Sequence, residues 1–92
     1  MSKRREIDAI TVRERGRDPV IAHEYRGWMI EVYRVGRRHE YQTVAEDLTG
    51  AHPLYQGPRR GGPGAMTLSR FEVQCWVDTT IARTAGLLPK SR

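Results

Sequence analysis

The chain has 92 residues, with sixteen Lys or Arg against eleven Asp or Glu, a net charge of +5 and a hydrophobic share of 38%, which is enough for one small domain with a small core. A single cysteine, Cys75, excludes an intramolecular disulfide framework and a Cys-pair zinc site, and no stretch approaches the roughly eighteen apolar residues of a membrane span. All the basic residues except Lys3 and Lys90 are arginine, a balance that attracts polyanions in general without marking a site.

Residues 1–19 read as a flexible basic arm. Met1 to Glu6 starts positively charged but lacks the apolar run of a signal peptide, so the expected location is the cytoplasm, where one free cysteine stays reduced. Within the arm, I-D-A-I-T-V at 7–12 is rich in β-branched residues and is open between an edge strand and a loose segment. Asp18-Pro19 ends whatever precedes it, because proline fixes its own φ and restricts its neighbour.

Residues 20–86 form the expected domain. Val20 to Tyr25 reads as the first strand, and Arg26-Gly27 as a two-residue hairpin loop in which glycine supplies positive φ. From Trp28 the chain alternates, with Trp28, Ile30 and Val32 on one face and Met29, Glu31 and Tyr33 on the other. Gly36-Arg37-Arg38 turns it back into His39 to Glu46, where Tyr41, Thr43 and Ala45 oppose Glu40, Gln42, Val44 and Glu46. Asp47-Leu48-Thr49-Gly50 is a turn signal. Ala51 to Gln56 is then an edge strand if it is a strand, because Pro53 cannot donate to a ladder.

G-P-R-R-G-G-P-G at 57–64 reads as a mobile connector, without the lysine and hydroxyl of a phosphate-binding loop. The helix is expected over Ser69 to Ala85, with Ser69-Arg70-Phe71-Glu72 as a capping box. Val73, Trp76, Val77, Thr80, Ile81 and Thr84 form the stripe that lies on the sheet. Residues 87–92 are read as a tail. The fold class is therefore α+β, an antiparallel three- or four-stranded meander with one C-terminal helix packed on one face.

Tyr25-Arg26-Gly27-Trp28, with Ile30 and Val32, resembles the opening hairpin of small bacterial proteins built as a β-meander closed by one helix. Asp47-Leu48-Thr49-Gly50 resembles the Asp-Leu-Pro-Gly turn of HicB-type antitoxins at three of its four positions. It departs in having threonine in place of proline, alanine after the glycine and a long Gly/Pro insertion before the helix. Neither likeness carries a site residue across.

No chemistry stands out. His23, His39 and His52 are scattered without metal spacing, Ser69 is accounted for by capping and Cys75 by packing, so no catalytic residue, metal, cofactor or small-molecule substrate is assigned. The chain is not read as an enzyme. Phe71, Cys75 and Ala82 lie off the sheet-facing stripe and are assigned to a dimer interface, which makes a self-assembling or protein-interaction module the first reading. The alternative is nucleic-acid binding through the arginines of the hairpin tip and the connector: Arg34, Arg37, Arg38, Arg59 and Arg60.

Overall fold

The computed structural model describes residues 7–36 and 39–86. The first six residues, the tail at 87–92 and two of the expected tip arginines, Arg37 and Arg38, lie outside the described residues.

Two-residue loops close best when both residues adopt positive φ, since that twist matches the strands they join. Arg26 and Gly27 do so, at φ 52° and 84°, and they connect β1 (Ile21–Tyr25) to β2 (Trp28–Arg34) with Tyr25 opposite Trp28. A non-glycine residue in this region is strained. Arg26 has a compensation, because its Nη1 meets Asp78 Oδ1 at 2.7 Å on the C-terminal helix. β3 (Tyr41–Asp47) pairs antiparallel with β2, from Trp28↔Asp47 to Arg34↔Tyr41. β4 is only Tyr55–Gln56, so the edge strand expected over 51–56 begins two residues after Pro53. The sheet is open, four-stranded and antiparallel in the order β1-β2-β3-β4.

The segment 7–12, weighed between edge strand and loose arm, instead forms helix α1 (Ala9–Glu14). Its β-branched composition is overridden by capping. The Thr11 N–H donates to Asp8 Oδ1 at 2.8 Å, and the Ala9 and Ile10 N–H groups each donate at 2.9 Å to the side-chain oxygens of Gln42 in β3 and Gln56 in β4. Three donors that a helix start leaves orphaned are thus satisfied, two of them by the sheet. Ala9 and Val12 pack on Tyr33, Val35 and Val44, so α1 covers the sheet face that a one-helix fold would leave to solvent.

The C-terminal helix, α2, runs Ala65–Thr84 and begins one turn before the expected capping box. Gly64 stands at its N-cap, with no side-chain cap bond. Because Ser69 falls inside the helix, its hydroxyl is buried against the sheet without a hydrogen-bond partner among the described residues, and Glu72 is free to bind elsewhere. Four of the six stripe residues fall as their spacing implies, Val73 and Val77 buried against Trp28, Ile30 and Ala45 with Trp76 and Ile81 packed beside them, whereas Thr84, at the end of the helix, is exposed.

The connector read as mobile is stitched to β3. Tyr41 and Arg60 exchange both backbone hydrogen bonds, at 2.8 and 2.9 Å, and the Gly57 N–H donates to the Thr43 carbonyl at 2.8 Å. Space at 57 is tight, since a Cβ there would sit 3.0 Å from Val73 Cγ2 and 3.4 Å from the Thr43 carbonyl oxygen. A side chain there would push Val73 by a few tenths of an ångström, so glycine suits the passage between β3 and α2.

Candidate interaction surface

Helix α2 is apolar on both sides, and only one side meets the sheet. Its inner side is pinned along both flanks. On the β1 flank, the Gln74 side-chain amide lies 3.2 Å from His23 Nε2, and the Tyr25 hydroxyl donates to the Asp78 carboxylate at 2.9 Å. The Arg26 guanidinium and the Tyr25 hydroxyl hold the Asp78 carboxyl below its ordinary value, and the same bond pushes the Tyr25 phenol up. On the β4 flank, the Trp76 ring stacks on Tyr55 at 3.9 Å and meets the edge of Trp28 at 5.3 Å.

The outer side of α2 has no such cover. Leu68 is 47% exposed, Phe71 is 60% exposed, Cys75 is exposed and Ala82 is half-buried. With Asp78 these residues follow the alternating three- and four-residue spacing of a helix–helix seam. A groove of about 390 Å³ opens beside the seam on the β4 flank, between Tyr55 and Pro58 on one side and Glu72, Trp76, Thr79 and Arg83 on the other. Singly exposed apolar residues are ordinary, whereas a row of them along one helix makes that face a candidate contact surface. The expected interface residues Phe71, Cys75 and Ala82 lie on one face, and Leu68 belongs with them.

The expected arginine footprint is brought partly together. Arg34 at the end of β2 opposes Tyr41, and Tyr41 bridges Arg60, so the three residues occupy adjacent lanes at one end of the sheet. Arg60 is already engaged: its guanidinium forks onto the Glu72 carboxylate at 2.8 and 2.6 Å, which holds Glu72 below its ordinary value. Arg59 donates to the Ile7 carbonyl.

One constellation has no counterpart in the sequence reading. The buried Asp47 carboxylate accepts from the Thr49 N–H at 2.9 Å and lies 2.7 Å from His52 Nδ1, while His52 Nε2 lies 3.3 Å from Thr84 Oγ1. These bonds, with His52 first and Thr49 next, lower the Asp47 carboxyl to about 2. Carboxylate, imidazole and hydroxyl stand in the order of a nucleophilic triad. However, Thr84 ends α2, where a helix presents carbonyls and negative potential, the opposite of the donors that an oxyanion needs. The chain Asp47–His52–Thr84 is better suited to tie the β3–β4 turn to the end of α2, with the imidazole 5.5 Å from the Trp28 ring.

Among the described residues no three His, Cys, Asp or Glu side chains are grouped to hold a metal, and no helix is long and apolar enough to cross a membrane. No family model, curated protein or solved structure matches the chain.

Proposed function

We propose that this chain is a small non-enzymatic interaction module of the cytoplasm that self-assembles as a homodimer through the outer face of α2. One observation carries the reading: Leu68, Phe71, Cys75 and Ala82 form an apolar row, exposed at its bulky end, on a helix whose other side already fills the core. Burying such a row against a partner removes apolar area from water at about 25 cal/mol per Å². The exposed free thiol of Cys75 suits a reducing compartment. Light scattering at high micromolar concentration is expected to give twice the 10.6 kDa chain mass. A monomer mass at that concentration rejects the reading.

A second reading, nucleic-acid binding, is favoured by the placement of Tyr41 in register between Arg34 and Arg60 at one end of the sheet. Each arginine that meets a phosphate of duplex DNA would add about −0.9 to the slope of log affinity against log salt. Arg34→Ala is expected to reduce that slope by about one such increment in a gel-shift series. Absence of any complex with duplex or single-stranded DNA or RNA at low salt removes this reading.

A further inference from the structure

Helix α1 can be offered to another copy of the chain without the loss of a contact. The groups that hold it all lie later in the chain: Gln42 and Gln56 accept from its first N–H groups, Glu31 and Glu46 meet Arg13, and Tyr33 and Val44 pack with Ala9 and Val12. Six residues do not hold a helix together in water, so α1 is completed by the socket that it enters. Without it, two carboxylates and an apolar patch are left uncovered. An occupant of that socket must bring a short helix with a small residue, a β-branched residue and an arginine, as Ala9, Val12 and Arg13 do. A second copy of this chain carries the same helix.

The connection between α1 and the sheet is short and stiff. Gly16, at φ 77°, and Arg17 close α1 by donating to the Arg13 and Val12 carbonyls at 3.0 and 3.2 Å, the paired bonds of a glycine-terminated helix end. The Val20 N–H already donates to the Val32 carbonyl of β2 at 2.8 Å. Asp18 and Pro19 alone stand between, so the Arg17 and Val20 Cα atoms can be at most about 11 Å apart. Pro19 fixes its own φ and holds Asp18 extended, and Asp18 is exposed. Short hinges favour exchange over folding back. In a reciprocal exchange every α1 contact is kept, and the two forms differ only at the hinge.

We propose that two copies of this chain exchange α1, each seating its helix in the other's socket, with Asp18-Pro19 as the hinge. The exchange does not use the outer α2 face, so the test is run in chains carrying Phe71→Glu and Cys75→Ala, which remove that contact and the native thiol. One chain adds Arg13→Cys and the other Glu46→Cys; the two are unfolded, mixed, refolded at high micromolar concentration and treated with a short bis-maleimide, which needs no oxidant. Each chain then has one thiol, and Arg13 and Glu46 of different copies meet when the α1 of one lies on the sheet of the other. A covalent product containing both chains is expected. A Gly/Ser stretch of about six residues inserted after Pro19 should lower its yield about tenfold, because a hinge that spans the distance easily raises the effective concentration of a chain's own α1 at its own socket. Deleting Asp18 and Pro19, with Arg13 and Glu46 left intact, should give a dimer by light scattering, since α1 no longer reaches its own socket. Absence of the linked product with the native hinge overturns the exchange, and so does a monomer mass for the deletion chain. A native dimer that Phe71→Glu abolishes, with no linked product, keeps the outer α2 contact and removes the exchange. A linked product from chains whose native parent is unaffected by Phe71→Glu keeps the exchange and removes that contact.

Discussion

The two faces of the sheet are held by different physics. Against α2 the centre of the contact is apolar, with Trp28, Ile30, Ala45, Val73 and Val77 closing on one another and four aromatic rings, Tyr55, Trp76, Trp28 and His52, in successive contact, while the polar pins stand at its flanks. Against α1 the helix itself buries only Ala9 and Val12 in the apolar patch, and it is held besides by named polar groups. Gln42 accepts from the Ala9 N–H and donates to the Gly57 carbonyl at 2.7 Å, Gln56 accepts from Ile10, and Arg13 reaches both Glu31, at 3.1 Å, and Glu46. A helix of six residues has no stability of its own in water. Burial that is roughly proportional to area spreads the α2 side's stability over many contacts, whereas the α1 side depends on each acceptor being in place.

Three substitutions would sharpen or break that contrast. Ile30→Ala, at a fully buried position on the α2 side, is expected to cost about 2–5 kcal/mol in denaturant unfolding, because it leaves a cavity in a small core. Gln42→Ala should cost less in global stability, about 1–3 kcal/mol, since it strands a buried donor and a buried acceptor. Its loss should be concentrated in α1, read as faster amide exchange at Val12 with little change at Val77. Uniform exchange across both helices would mean that the faces unfold as one and that the contrast is only descriptive. The smallest effect, about 1 kcal/mol, is expected for Asp8→Ala, which removes one cap of α1 and leaves the two glutamine acceptors. An effect of Asp8→Ala as large as that of Ile30→Ala would show that local capping, and not the sheet, holds α1.

What could be read from the sequence divides along the same line. The first hairpin was legible because Arg26-Gly27 is local turn chemistry, and the register Tyr25↔Trp28 follows from it. The inner stripe of α2 was legible because Val73, Trp76 and Val77 recur at helical spacing. The outer positions Phe71 and Cys75 followed by elimination, and both are exposed. Helix α1 was not legible, because its decisive caps, Gln42 and Gln56, lie 33 and 46 residues from the groups that they satisfy. The helix start was misplaced because Ser69 to Glu72 imitates a capping box, and assigning Glu72 to that role hid its pairing with Arg60. The Asp47–His52–Thr84 chain has a local signal only at its first step, the Asp-x-Thr turn, while Thr84 is 32 residues beyond His52.

The strand order of the sheet also bears on how the chain reaches its native state. Every strand pairs with its neighbour in sequence, so the sheet can be assembled by closing successive short loops, which keeps the entropic barrier low and favours rapid folding. Helix α1 is the exception: it leaves the ribosome before the sheet, yet its acceptors are supplied by β3 and β4. It is made before the sheet and must dock late, after the sheet it caps exists.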